Sequence, residues 1–156
     1  MSAFNSFIFG NFERGILYKE FALAVMNPSL VQGNSMSRAE LLTRILRTLH
    51  TSSPDIVASA ILSEDGLMLA SALPSGLDET RIGGMTATLL SLGSRAAHEL
   101  ERGQVQEIVV RGSEGYAAVM NASTGTLLLC LSSKSARLGV VFYEMRKTID
   151  DLSNVL

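Results

Sequence analysis

The sequence predicts an α+β domain in which three helices cover a five-stranded antiparallel sheet. Short apolar runs of strand length, separated by turns that contain glycine, alternate with three longer segments whose apolar residues recur at helical spacing. The resulting order is α-β-β-α-β-β-β-α, and adjacent strands joined by short turns are typical of antiparallel sheets. With 156 residues, of which 47% are hydrophobic, the chain has the size of one domain and a short extension.

Residues 1–35 differ from the rest in composition and are expected to form an N-terminal extension outside the domain. They hold five of the six phenylalanines, but charged residues interrupt the apolar ones, which is not typical of a secretory signal. The extension is interpreted as disordered, as a short amphipathic anchor for a membrane or a partner, or as non-native, because translation could start at Met36. The domain is assigned to residues 36–156.

The first helix and the hairpin after it have clear local signals. Ser37 and Glu40 have the spacing of a capping box, which predicts a helix that begins there, and Pro54 ends it. Strands are predicted at residues 56–62 and 67–72. The Asp65-Gly66 dipeptide between them predicts a tight turn, because glycine accepts a positive φ.

The central helix is predicted from Asp78 to Gly103, with the aspartate at its start and the glycine as its end signal. None of the thirteen residues between Arg81 and Arg95 is charged. One side of this helix carries large apolar residues and a neighbouring side mostly smaller ones. The first stripe is Ile82, Met85, Leu89, Leu92 and Ala96, and the second is Gly83, Ala87, Leu90, Ser94 and Ala97.

A helix that is apolar on most of its circumference is covered on most of its circumference. We therefore expect one face on the chain's own sheet and another on a second protein, most simply a second copy. Burial inside a larger monomer is the alternative. Because small residues let another backbone approach closely, the small-residue stripe is predicted to form the dimer interface.

Three further strands are predicted at residues 105–111, 116–121 and 126–131. The last is the most apolar and is placed in the centre of the sheet. The first has polar residues on both faces, which is typical of an edge strand or of one that pairs with a partner's edge. Val105, Glu107 and Val109 are therefore added to the predicted dimer interface. A final helix with one apolar side follows, and Ser135 is predicted to cap it.

Composition excludes several classes of function. A net charge of −2 with scattered Lys and Arg argues against a nucleic-acid binder. The single cysteine, Cys130, permits neither an internal disulfide nor a cysteine-based zinc site, and its apolar surroundings predict a buried side chain. His50 and His98 are interpreted as ordinary helix residues. Phosphate-loop and nucleophile-elbow motifs are missing, so no catalytic, cofactor-binding or metal-binding residue is assigned, and an enzyme is the least expected class.

The order of elements, the segment ILSEDGLMLAS, the long helix with small residues and the meander EGYAAVMNASTGTLLLCLS resemble the roadblock (dynein light-chain) family. The resemblance is to the bacterial branch that regulates Ras-like GTPases, and it covers roughly residues 37–153. The longin and profilin folds share part of this layout. The resemblance implies a homodimer in which the long helix pairs with its two-fold mate and the strand after it joins the mate's sheet.

The same resemblance implies a cytoplasmic regulator that binds a Ras-like small GTPase on the side of the paired helices. It would stimulate GTP hydrolysis by repositioning the GTPase's own residues. Arg81 and Arg95 are expected to face the GTPase, and either could instead act as an arginine finger. A non-activating scaffold of the same fold, a small-ligand sensor module and a heterodimer with a paralogue stay open as alternatives. Contact with a membrane is expected only through residues 1–35.

Overall fold

The computed structural model describes residues 36–156, so the predicted extension at residues 1–35 lies outside the described part. The elements are α1 (Arg38–Ser52), β1 (Ile56–Ser63), β2 (Met68–Ala72), α2 (Glu79–Glu99), β3 (Glu107–Gly112), β4 (Gly115–Ser123), β5 (Thr126–Ser133) and α3 (Leu138–Leu152). The predicted order α-β-β-α-β-β-β-α and the α+β fold class are confirmed.

The five strands form one sheet in the order β2-β1-β5-β4-β3, and every neighbouring pair is antiparallel. β5 lies in the centre, as its apolar sequence predicts, and most of its residues are buried. β3 lies at one edge, which confirms the prediction from its mixed polar and apolar pattern. β2 forms the opposite edge.

Helices cover the two faces of the sheet unequally. α1 and α3 lie on one face over the larger core, where Leu46, Leu128 and Met145 are fully buried. α2 lies on the other face, over a smaller cluster that joins its Ile82 to Leu127 and other strand residues. The α2 face therefore keeps more of its apolar surface open to solvent than the other face does.

The local signals at the start of α1, α2 and β2 behave as predicted. The Ser37 hydroxyl accepts a hydrogen bond from the Glu40 amide at 3.2 Å, and the Glu40 carboxylate accepts one from the Ser37 amide at 2.7 Å. The Asp78 carboxylate accepts from the Arg81 amide at 3.1 Å and caps α2. Gly66 has a φ of 90° in the turn between β1 and β2, a conformation that favours glycine.

α2 ends earlier than the sequence predicts. Its C-cap is Leu100, and Glu101 follows in the left-handed region with a φ of 53°. The Glu101 amide donates to the His98 carbonyl, and the Arg102 amide donates to the Ala97 carbonyl. This is the Schellman arrangement, with a glutamate where glycine is usual. The prediction that Gly103 ends the helix is wrong because Glu101 already supplies the left-handed residue.

Two other predicted boundaries are corrected. Val105 precedes β3 rather than opening it, and its carbonyl accepts a hydrogen bond from the Asn121 side-chain amide at 3.2 Å. α3 has Arg137 as its N-cap residue and no side-chain cap. The Ser135 hydroxyl lies 3.1 Å from that of Ser133, in the turn before the helix, so Ser135 is too far upstream to cap it.

Candidate functional site

The side of α2 that packs on the chain's own sheet is built largely from small residues. Gly83 is buried against the turn between β1 and β2, and a Cβ added there would overlap the Gly66 carbonyl oxygen. A Cβ added to Gly93 would lie 2.8 Å from the Ile108 Cδ1 atom. Leu90 is half-buried against the cluster under α2. Glycine therefore brings α2 close to this chain's own hairpin turn and edge strand.

These contacts correct part of the predicted dimer interface. Gly83 was assigned to a partner, but it packs within its own domain, because the backbone that approaches it belongs to the chain's own β1–β2 turn. Leu90 is half-buried and also lines an open cleft, so its assignment to the interface stays a prediction. Ala87 and Ala97 are half-buried and Ser94 is exposed, so these three keep surface that a partner could reach. Their assignment to the interface stays a prediction.

Most of the large apolar stripe of α2 points away from the sheet, although its first residue, Ile82, is buried against it. Met85 is 50% exposed and Leu92 is 63% exposed, values that are high for side chains of this size. Leu89 is half-buried beside them, and Ala96 is exposed. The sequence prediction assigned the small-residue stripe to a partner and so left the large apolar stripe for the chain's own core. In the structure, Met85 and Leu92 of the large apolar stripe are instead open to a partner.

This apolar side adjoins the outer edge of the sheet. Val110 of β3 is 44% exposed and lines a hollow of about 490 Å³ together with Met85 and Leu89. Val109 is 39% exposed on the other face of the same strand. Within residues 36–156, β3 pairs with β4 on one side and with no strand on the other. We call Met85, Leu89, Leu92, Val109 and Val110 the α2–β3 surface.

Beyond Val110, the α2 face of the sheet is also uncovered. A shallow hollow of about 510 Å³ is lined by Val57, Val110, Ala117 and Leu131, among others. Val57 is 53% exposed, although it belongs to an inner strand. Open apolar surface therefore continues from the helix, across the edge strand and onto the sheet.

Arg81 and Arg95 are exposed on the outward side of α2. They are fourteen positions apart in the sequence, which places them about 21 Å apart along a helix that rises about 1.5 Å per residue. In residues 36–156 the one salt bridge joins Arg146 to Glu107 at 3.3 Å, so neither arginine has an acidic partner in that range. Both guanidinium groups are available to a binding protein.

The Arg146–Glu107 pair ties α3 to the edge strand. The two side chains are 64% and 35% exposed, so the pair contributes at most about 1 kcal/mol to stability. Glu107 was predicted to lie in the dimer interface, and the structure gives it a contact inside its own chain. It still lies on the open edge strand, so its place in an interface stays a prediction.

The buried polar groups have structural rather than catalytic surroundings. Burial raises the pKa of the Cys130 thiol to about 12, so the thiolate nucleophile is scarce at neutral pH. The prediction that Cys130 is buried is confirmed. His50 Nε2 lies 2.8 Å from the Ser59 hydroxyl, and burial lowers the pKa of His50. Ser59 is fully buried, so a substrate has no access to this serine–histidine pair.

Other kinds of candidate site are poorly represented among the described residues. In residues 36–156, no group of three or more His, Cys, Asp or Glu side chains is arranged to hold a metal ion. An open cleft of about 780 Å³ lies between α2 and the turns at one end of the sheet, and Ser94, His98 and Asn121 are among its exposed lining residues. In the same range, no helix has both the length and the apolar character needed to cross a membrane.

Comparisons with known proteins agree with this architecture. The family model described as Roadblock/LC7 domain matches residues 43–132. The chain is similar to the crystal structure of a Roadblock/LC7 domain from Streptomyces avermitilis, with 26% identity, a TM-score of 0.66, and coverage of 72% of this chain and 94% of that one. It is also similar in fold to Myxococcus xanthus MglB, with 14% identity, a TM-score of 0.70, and coverage of 77% and 90%. An uncharacterized protein of Methanocaldococcus jannaschii is 26% identical over 112 residues, which are 72% of this chain and 96% of that one.

Proposed function

The chain belongs to the Roadblock/LC7 domain family, and from this we propose that it is a homodimeric regulator of a Ras-like small GTPase. The observation that carries the proposal is the α2–β3 surface, where exposed large apolar side chains lie beside an unpaired strand edge. Contiguous apolar surface of this kind marks a site of protein association. The resemblance to the bacterial regulators of Ras-like GTPases supplies the class of the second partner.

A second copy fits this surface through a two-fold axis. In a two-fold dimer each patch meets its own copy, so β3 pairs with the partner's β3 and α2 lies beside the partner's α2. Strand pairing satisfies the free backbone N–H and C=O groups of the edge. Helix pairing covers Met85 and Leu92, which a monomer leaves exposed, together with the half-buried Leu89.

The outward side of α2 is the proposed platform for the GTPase. Arg95, Thr88 and Ser91 are exposed there and help to line a shallow hollow of about 440 Å³. The proposed regulator acts by repositioning the GTPase's own catalytic residues, as the resemblance to the bacterial regulators implies. An arginine finger is the alternative mechanism, and it is worth roughly 10³–10⁵ in rate.

A hydrolysis assay tests the proposal. Each Ras-like GTPase of the source organism is purified, loaded with GTP and assayed with and without an excess of the full chain. The proposal expects one of them to bind and to hydrolyse GTP faster. Binding without acceleration would indicate a scaffold of the same fold, and no binding by any of them would contradict the proposal.

The Arg95→Ala variant distinguishes repositioning of GTPase residues from an arginine finger. Lys134→Ala, in an exposed turn before α3, is the matched control. If the protein repositions GTPase residues, Arg95→Ala weakens binding but leaves the stimulated rate at saturation nearly unchanged. A loss of 10³-fold or more in the saturated rate would instead make Arg95 a finger.

A further inference from the structure

We infer that α2 binds the α2 helix of a second copy of this chain through a self-complementary contact, which we call the seam. The seam consists of Met85, Leu89, Leu92 and Ala96, and at its ends Arg81 forms an ion pair with Glu99 of the partner subunit. This inference rests on the proposed homodimer and specifies its register.

Helical geometry places the two charges on one side of α2. Arg81 and Glu99 are eighteen residues apart, which is five full turns at 3.6 residues per turn, so both project in the same direction. They lie about 27 Å apart at opposite ends of the helix, and both are exposed. Within residues 36–156 neither side chain has an ion-pair partner.

The apolar residues between the two charges are arranged for antiparallel pairing. Along this side the chain presents Met85, Leu89, Leu92 and Ala96, at alternating spacings of four and three residues. Such spacing is the pattern of helices that pack along their length. Two copies that run in opposite directions would place a large residue at each end of the seam opposite a small one.

The register follows from these positions. When Leu89 lies opposite the partner's Leu92, Met85 lies opposite the partner's Ala96. In the same register Arg81 lies within one residue of the partner's Glu99, and the contact occurs twice because of the two-fold axis. A parallel pair would bring each charge against its own copy, which is repulsive.

The edge strand supports the same placement of the axis. Val110 lines one hollow together with Arg81, Met85 and Leu89. The side of α2 that carries the seam therefore faces the unpaired edge of β3. An axis that pairs the two β3 edges brings the two seams together, so strand pairing and helix pairing are compatible.

Charge reversal tests the ion pair. Arg81→Glu and Glu99→Arg each should weaken dimerisation of the full chain by about tenfold or more at low salt, because two exposed pairs become repulsive. The double variant Arg81→Glu/Glu99→Arg should return the Kd to within a few-fold of wild type. Neither single change harms the helix itself, since acids suit its first turns and bases its last turn. Lys147→Glu, an exposed charge reversal on α3 at the other face of the sheet, is the matched control and should leave the dimer Kd unchanged.

Cross-linking tests the register independently. A mixture of Met85→Cys and Ala96→Cys subunits should form an intersubunit disulfide, and neither variant alone should, because its two cysteines would lie about 16 Å apart along the helices. Cys130 is buried and should not form a disulfide in this experiment. Cross-linking of Met85→Cys alone, or a double charge variant that stays weak, would overturn the inference and leave the homodimer standing.

Two further outcomes separate the inference from the proposed function. A wild-type chain that is monomeric would overturn both. If Arg81→Glu keeps the dimer intact but abolishes GTPase binding, Arg81 faces the GTPase, and the proposed seam is wrong while the regulatory function holds.

Discussion

The close contact between α2 and the β1–β2 turn predicts opposite effects for two adjacent glycines. A Cβ at Gly83 would overlap the Gly66 carbonyl oxygen, which is backbone and has little freedom to move, whereas a Cβ at Gly84 meets nothing within 4 Å. Both residues are helical, so alanine gains about 0.5–1 kcal/mol of helix propensity at either position. Overpacking costs about 1–3 kcal/mol, and it applies only at Gly83.

Gly83→Ala should therefore lower the free energy of unfolding by up to about 2 kcal/mol, while Gly84→Ala should raise it by up to about 1 kcal/mol. Urea denaturation followed by circular dichroism, at one fixed protein concentration, measures both variants. Gly93→Ala is an informative third variant, because the atom it would meet is the flexible end of Ile108 and can shift. A Gly83→Ala protein as stable as Gly84→Ala would refute the close approach of α2 to the hairpin turn.

Three more predictions concern single positions. Burial lowers the pKa of His50 below its usual 6.5, so the unfolded chain binds the proton first and stability should fall as the pH drops below about 6.5; a pH series of unfolding should show this, and His50→Gln should remove that part of the slope. Glu101→Gly should raise the free energy of unfolding by up to about 1 kcal/mol, because glycine accepts the left-handed conformation that Glu101 adopts; equal or lower stability in thermal unfolding would contradict this. Cys130 should react with a thiol reagent only at the rate of unfolding, since it is buried and its pKa is about 12; fast labelling of the native protein would contradict its burial.

Signals between neighbours in the sequence gave correct predictions. The Ser37–Glu40 capping box, the Asp65-Gly66 turn and the acidic start of α2 at Asp78 depend on residues a few positions apart, and all three occur in the structure. The central position of β5 also followed from its own apolar residues. These features depend on chemistry that the sequence displays directly.

The direction of α2 could not be predicted in the same way. Helical periodicity reveals two apolar stripes, but it does not say which tertiary neighbour approaches each one. Small residues such as Gly83 suit any close contact, and here the contact is with Gly66, which is distant in sequence. One useful signal was present: a glycine in a turn and a glycine in a helix indicate a possible backbone contact between the two elements.

Errors at the ends of elements have a related cause. Gly103 was predicted to end α2, but the Schellman hydrogen bonds form two residues earlier. Glu101 adopts the left-handed conformation there, although that conformation is less favourable for glutamate than for glycine. Ser135 looked like a helix cap, yet the chain turns once more before α3 begins. When several residues could begin or end a helix, backbone hydrogen bonds decide which one does, and the sequence alone does not reveal those bonds.

The orientation of α2 determines which substitution tests the interface without harming the fold. Leu90→Glu would place a charge against the chain's own sheet and is expected to unfold the domain. Leu92→Glu places the charge on the α2–β3 surface, where Leu92 is 63% exposed. Tyr143→Glu is a matched control, because Tyr143 is 64% exposed on α3, away from that surface.

Light scattering of the full chain tests the central claim most directly. Wild type and Tyr143→Glu should have twice the mass of one 16.7 kDa chain, and Leu92→Glu should have the mass of a single chain with an unchanged circular dichroism spectrum. A folded wild-type monomer, or a Leu92→Glu protein that stays dimeric, would contradict the assignment of the α2–β3 surface as the site where two copies meet.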